Sequence, residues 1–168
     1  GAVFEGVVDL RACVVRMLVI LMLVPGLQAC KRHDPPSAAQ VLAKQLELPA
    51  NAHRHETEHY SIWSSATDAQ TRDVGTASEA LRDAYVRLFP PSQPRRAKLI
   101  LVLYRDHAEF ELHNRSSPWA EAYYLPPASH AYVATGKANP YQWMLHEATH
   151  QLAHEMSGFR SSRWVSDG

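Results

Sequence analysis

The chain has 168 residues, 46% hydrophobic and 20% charged, which suits a single globular domain with one buried core. Lysine and arginine together number 17, as do aspartate and glutamate, so the formal net charge is zero. Because no net positive field attracts polyanions, we expect no nucleic-acid partner. The two cysteines, Cys13 and Cys30, are too few for a metal site built from thiolates.

The first 30 residues have the order of a secretion signal. Arg16 precedes an apolar run from Met17 to Val24, which is shorter than the ~20 residues that a membrane-spanning helix needs. A Pro25-Gly26 break and then a small residue, Ala29, follow the run, as in a signal peptide. An ordinary signal cleaved near Ala29, which would release a secreted protein, and a buried helix without any targeting role are the alternatives.

The residues "LQAC" at 27 to 30 resemble a bacterial lipobox, in which the cysteine is lipidated and becomes the mature N-terminus. This resemblance implies a lipid anchor on Cys30 and a place in the bacterial cell envelope, periplasmic or on the outer surface. Each buried CH₂ of an acyl chain adds ~0.8 kcal/mol, so a cysteine with more than one chain anchors a protein stably to a membrane. Cys13 would then lie in the removed segment, and no disulfide is expected.

The ends of the chain carry two further expectations. Residues 1 to 16 are interpreted as sequence upstream of the signal. Trp164 and Val165 suggest that another element begins near residue 168, so we expect the chain to be cut short at its C-terminal end. Residues 31 to 56 are polar and interrupted by prolines, and they are predicted to be a tether with at most one short helix around Ala38–Leu46.

The remainder, 57 to 168, is predicted to be one compact domain in which helical and strand-like patterns alternate. Pro90 and Pro91 end a long helix, Asp106 caps a short one, and Asn139-Pro140 opens the last one. The predicted elements are a strand at 59 to 65, a helix at 68 to 89, a strand at 97 to 104, a helix at 107 to 114, paired strands at 120 to 125 and 130 to 136, and a final helix from 139.

The metalloprotease motif H-E-x-x-H occurs twice, as "HETEH" at 55 to 59 and "HEATH" at 146 to 150. Two histidines four residues apart can reach one zinc ion on a helix, whereas four steps along a strand span ~13 Å. The first copy lacks helical apolar spacing and runs into a strand, so we expect no metal between His55 and His59. The second copy lies on an amphipathic helix, with Met144, Ala148 and Leu152 on its packing side.

On that helix, His146, Glu147 and His150 share the side opposite to the packing face, so the two imidazoles are predicted to bind zinc with a carboxylate beside them. His154 lies on the same side but ~12 Å along the axis from His146, too far to bind the same ion, and is expected to support the site or face solvent. Met156 occupies the position of a third histidine in metzincins, which disfavours that class. A helix with merely exposed histidines is the alternative.

The segment "HEATHQL" followed by "RWVSDG" resembles the gluzincins, in particular the peptidase MA-like bacterial proteins. The resemblance covers roughly 57 to 168. It implies an α+β fold with a zincin-like N-terminal subdomain, in which a small mixed sheet packs on a long HExxH helix. It also implies Asp167 as the third zinc ligand, although that family has glutamate there, one methylene longer.

The resemblance further implies a zinc-dependent peptidase in which Glu147 takes a proton from the attacking water and a peptide or protein is the substrate. In zincins the substrate lies along an edge strand, and residues 130 to 136 are predicted to be that strand. Tyr124 or His130 is the candidate oxyanion donor. A non-catalytic envelope lipoprotein with the same fold, used for binding or scaffolding, is the alternative function, and a metal amidase acting on cell-wall peptides is a third.

Overall fold

A computed structural model describes residues 38–49 and 51–156. The proposed signal, Cys30 and Asp167 lie outside these residues. The described part contains four helices and five strands. In chain order they are α1 (Ala38–Leu46), β1 (His53–Glu56), β2 (Tyr60–Ser64), α2 (Asp68–Leu88), β3 (Leu99–Tyr104), α3 (His107–His113), β4 (Ala122–Leu125), β5 (Ala128–Tyr132) and α4 (Gln142–Met156).

The five strands form one mixed sheet in the order β1-β2-β3-β5-β4. β2, β3 and β5 run parallel, with Tyr60 opposite Leu99 and Ile100 opposite Ala128. β1 and β4 pair antiparallel with their neighbours and form the two edges of the sheet. The fold is therefore α+β, as predicted, with a mixed sheet of small size.

One face of the sheet packs against α2 and α4. Alternate residues of β3 point to this face, and Leu101 and Leu103 are fully buried there together with Val74 of α2 and Met144 of α4. Burial of such side chains contributes ~1.5–3 kcal/mol each. This layer fixes α4 beneath the sheet.

The other face of the sheet packs against α1 and α3. Val102 and Tyr104 of β3 point this way and meet Phe110 of α3 and Leu46 of α1, and all four are buried. Tyr104 and Phe110 make an edge-on aromatic contact with ring centroids 5.7 Å apart. Both faces are therefore covered, and the sheet is the centre of two hydrophobic layers.

Local signals set the ends of α2 and α3 as predicted. Thr67 and Gln70 form a capping box at the start of α2. The side chain of Asp106 accepts a hydrogen bond of 2.8 Å from the backbone N–H of Glu109 and so caps α3. α2 ends at Leu88, just before Pro90.

The predicted tether between 31 and 56 needs correction. The helix predicted around Ala38–Leu46 forms, but its buried Leu46 belongs to the hydrophobic layer beside α3. β1 is the first strand of the sheet and pairs with β2 over its whole length. The folded unit thus begins well before residue 57. The sequence missed β1 because its polar residues lie on an edge strand, where apolar alternation is weak.

A second correction concerns the strand predicted at 130 to 136. β5 is Ala128–Tyr132 and lies between β3 and β4, so it is an interior strand of the sheet. β4 is the edge strand on that side. The prediction that the strand-like runs at 120 to 125 and 130 to 136 pair with each other is confirmed, and the pairing is antiparallel.

Across 38–49 and 51–156, no helix has both the length and the apolar character of a membrane span.

Candidate metal centre

The first H-E-x-x-H copy is not helical, as predicted. His55 lies in β1 opposite Ile62 of β2, and His59 follows in the connection that leads into β2. The ring Nδ1 of His59 lies 2.7 Å from a carboxylate oxygen of Glu79 in α2. This copy therefore joins an edge strand to a helix and does not present two adjacent imidazoles on one helical face.

Glu79 is the anchor of that connection. Its carboxylate also accepts hydrogen bonds of 2.6 Å from the hydroxyl of Thr57 and 2.7 Å from the backbone N–H of His59. Burial alone would raise the pKa of Glu79, but the hydrogen bonds from Thr57 and His59 outweigh it and hold the pKa below its usual value. The contacts of His59 therefore hold the connection between β1 and β2 against α2.

The second copy lies in the middle of α4, which is helical throughout Gln142–Met156. Met144, Ala148 and Leu152 are fully buried on the sheet side of this helix, as the apolar spacing predicts. His146 is exposed on the opposite side and His150 is half-buried there. The helix therefore presents its histidines toward solvent while its other side is fixed by packing.

The imidazoles of His146 and His150 converge. Their Nε2 atoms lie 3.1 Å apart, and the ring centroids are 4.8 Å apart with an angle of 71° between the ring planes. Two nitrogens bound to one tetrahedral zinc ion at ~2.0–2.1 Å lie about 3.3 Å from each other. The two Nε2 atoms are therefore separated by nearly the distance that a shared zinc ion requires.

Glu147 lies between the two histidines in sequence and is half-buried. Burial raises the pKa of its carboxyl above the usual value, while the charges of His150 and His146 and the backbone N–H of Tyr124 in β4 act in the opposite direction. The carboxylate thus lies between the two histidines and the edge strand.

Tyr124 points to the α4 side of the sheet, because the adjacent Tyr123 belongs to the opposite layer. Its hydroxyl donates to a carboxylate oxygen of Glu155 at 2.8 Å and lies 3.1 Å from Nδ1 of His154. Glu155 in turn binds the guanidinium of Arg95 at 2.6 Å. The hydroxyl of Tyr124 is therefore held at the level of His154, one turn beyond His150.

His130 does not reach the histidine pair. Its ring is buried on the other face of the sheet, where Nδ1 lies 3.1 Å from the hydroxyl of Tyr104 and the ring stacks on Tyr123 at 4.5 Å. Its neighbours Ser129 and Ala131 are the residues of β5 that face α4. The prediction of His130 as an oxyanion donor is therefore wrong, because the strand places it one residue out of phase.

No third metal-ligating side chain joins His146 and His150 within the part of the chain that the structure describes. The candidate third ligand, Asp167, lies outside it. The prediction that substrate lies along residues 130 to 136 is corrected by the sheet order, since β4 and not β5 is the edge strand among the five described strands.

Gln151 is a site residue that sequence reasoning missed. It is fully buried, and its side-chain nitrogen donates to the backbone carbonyls of Ile100 at 3.0 Å and Pro127 at 3.2 Å. Its side-chain oxygen accepts a hydrogen bond of 3.2 Å from Ser129. Its position in the sequence could have indicated this: Gln151 lies three residues after Ala148, so helical spacing places its polar side chain on the packing face of the helix.

The chain matches no protein-family model, and no curated protein is similar enough to give a match.

Proposed function

We propose that this protein is a zinc-dependent peptidase of the gluzincin type, with His146 and His150 as two zinc ligands and Glu147 as the general base. The approach of the two Nε2 atoms to 3.1 Å on the outer side of a packed helix carries the proposal. A third ligand is required in such sites, and Asp167 is the candidate by its sequence context. The zincin-like identity of the fold is part of the proposal, and the mixed sheet above α4 supports it.

When bound, zinc polarises a carbonyl group and makes water acidic near neutral pH. Glu147 would accept the proton of the attacking water and later donate it to the leaving amine. The backbone N–H of Tyr124 stabilises the carboxylate form that accepts this proton. Burial works against that charge and so favours uptake of the proton from the water.

The edge of β4 is the proposed substrate site. Among the described residues this strand pairs with β5 on one side only, so its outer backbone groups, apart from the N–H of Tyr124 that bonds to Glu147, are available to an extended peptide. Tyr124 in the same strand approaches Glu147, which places the free edge beside the proposed general base. A peptide added to β4 would therefore run past the histidine pair.

A location in the cell envelope, with a lipid anchor on Cys30, is proposed from the sequence of residues 16 to 30 alone. Metabolic labelling with a fatty acid tests it directly. The chain should take up label, and Cys30→Ala should take up none; equal labelling of both would overturn the anchor.

The peptidase proposal is tested on the full-length protein by zinc analysis and by cleavage of casein and cell-wall peptides. Glu147→Gln should retain zinc and lose activity, and His150→Ala should lose both. The first motif offers controls, since Glu56→Gln changes the glutamate equivalent to Glu147 and His55→Ala changes a histidine of that motif. Both variants should retain zinc and activity. Zinc binding by the unaltered protein with no cleavage of either substrate would support a binding or scaffolding protein and overturn the peptidase.

A further inference from the structure

A second cleft, of about 310 Å³, opens on the face of the sheet opposite to α4. It lies between α1, the segment after α3, and the connection from β4 to β5. Its volume is in the range of small-molecule sites. The peptidase proposal gives no role to the side chains that line this cleft.

The polar end of the cleft is formed by His130, which is only 3% exposed. Nδ1 of its ring is bound to Tyr104, whereas no described residue gives Nε2 a hydrogen-bond partner. Nε2 is not among the fully buried polar atoms without a partner, so it reaches the cleft, where a ligand or solvent can bind it.

The hydrogen bonds around the ring leave Nε2 free for a ligand. Tyr123 donates its hydroxyl proton to the backbone carbonyl of His113 at 3.3 Å. The hydroxyl of Tyr104 lies 3.1 Å from Nδ1 of His130. When Nδ1 carries the proton of the neutral ring and donates it to Tyr104, Nε2 carries the lone pair and is a hydrogen-bond acceptor.

The neutral form of this ring is the stable one. Burial first, and then the positive charges of Arg115 and His113, lower the pKa of His130 to about 3. The ring therefore remains neutral, with one nitrogen as a hydrogen-bond acceptor, throughout the neutral range of pH.

Arg115 supplies a cation at the same cleft. Its contacts within the chain are long: 3.4 Å to the backbone carbonyl of Gln45 and 3.6 Å to the exposed carboxylate of Glu47. A guanidinium has five N–H donors and pairs with a carboxylate in a two-pronged geometry. Arg115 is thus available to an anion that displaces Glu47.

Apart from Gln45, the rest of the cleft wall is apolar. Leu46, Leu125 and the two prolines between β4 and β5 line it. An occupant therefore has to combine an anionic end, a hydrogen-bond donor and an apolar body.

We propose that this cleft binds a small hydroxy- or amino-carboxylate with an apolar side chain. Arg115 pairs with the carboxylate, Nε2 of His130 accepts a hydrogen bond from the hydroxyl or ammonium group, and Leu46 and Leu125 contact the apolar body. The proposal is independent of metal binding at His146 and His150.

Titration calorimetry with 2-hydroxy-4-methylpentanoate and with leucine, on the full-length protein, tests the site. At least one should bind saturably in the millimolar range or below, and the bound form should shift the ¹⁵N resonance of Nε2 in His130. Arg115→Gln should weaken binding roughly tenfold or more, because it removes a charged hydrogen-bond partner. 4-Methylpentanoate, which lacks the hydroxyl group, should bind more weakly without any change to the protein.

Two further variants give opposite expectations. Glu47→Gln removes the competing carboxylate beside Arg115 and should strengthen binding. Arg105→Gln removes an exposed arginine that does not line the cleft and should leave binding unchanged. The proposal is overturned if neither acid binds to folded protein, or if Arg115→Gln binds both acids as well as the unaltered chain does.

Discussion

Gln151 of α4, the residue directly after His150, donates a hydrogen bond of 3.0 Å to the backbone carbonyl of Ile100 in β3. A second bond from the same nitrogen reaches Pro127, before the first residue of β5. The helix that presents His150 is therefore tied to two parts of the sheet by one side chain. Packing of Met144 and Leu152 sets the depth of the helix, and Gln151 sets its position along the strands.

Gln151→Leu should lower the free energy of unfolding by about 1–3 kcal/mol, because two buried carbonyl groups lose their donor. Urea unfolding measures the change. Thr149→Ala is the control, since Thr149 is exposed and bonds only to the carbonyl of Leu145 in its own helix. An unchanged urea midpoint for Gln151→Leu would show that the helix is held by apolar packing alone. We also expect weaker zinc binding in Gln151→Leu than in Thr149→Ala.

Tyr124→Phe should retain zinc and lower the free energy of unfolding by about 1 kcal/mol. The hydroxyl of Tyr124 donates to Glu155 and lies one turn away from His150, so its loss affects the Arg95–Glu155 contact and not the histidine pair. Zinc titration and urea unfolding of the variant measure the two effects. A hundredfold fall in kcat with unchanged zinc affinity would instead assign Tyr124 to transition-state stabilisation, as one sequence interpretation held.

The sequence predicted the elements whose periodicity is strong. α2, β3 and α4 have clear apolar spacing, and each forms within a few residues of the predicted range. β1 was missed because an edge strand with histidine, arginine and glutamate buries little apolar surface. The order of β5 and β4 was also missed, since pairing partners depend on which strand the chain reaches after crossing the sheet, and hydrophobic pattern does not encode this.

At the candidate site, too, periodicity predicted one feature of the structure and not another. Helical phase alone predicts that His146 and His150 share a side, and the structure brings their Nε2 atoms together. The fate of His130 could not be predicted, because a strand turns each successive residue to the opposite face and the register was unknown. Because neighbouring residues of a strand face opposite sides of the sheet, His130 faces the cleft beside Arg115 and not α4.

Stability should fall as the pH is lowered from about 6.5 toward 4.5, by at most about 1.4 kcal/mol per pH unit from His130. The pKa of His130 is lowered to about 3 in the folded chain, mainly by burial, whereas in the unfolded chain it is near its ordinary value of 6.5. The unfolded state therefore binds the extra proton in this window. The stabilising effect of the neutral ring is complete above pH 6.5.

Urea unfolding at several pH values, with His130→Gln as the comparison, isolates this effect. The variant should show a smaller slope between pH 6.5 and 4.5, even if it is less stable at every pH. Below about pH 4.5 both proteins should lose further stability, since the pKa values of Glu56 and Glu79 are held below normal by hydrogen bonds that outweigh their burial. Identical slopes in both proteins would mean that His130 titrates normally.

Gly75→Ala tests the packing of α2 on the connection between β1 and β2. A Cβ atom at this position would lie 2.9 Å from the methyl carbon of Thr57 and 3.3 Å from Ile62. Alanine favours a helix over glycine by about 1 kcal/mol, but the close approach to Thr57 should outweigh this gain and give a less stable protein.

Thr57→Ser removes that methyl group and keeps the hydroxyl that donates to Glu79. The double variant should therefore regain the stability that Gly75→Ala loses, and thermal or urea unfolding of the two single variants and the double variant measures the coupling. Additive effects would mean that the helix moves away from the strand without strain. A positive coupling would establish that the first H-E-x-x-H segment is fixed to α2 by close packing as well as by the carboxylate of Glu79.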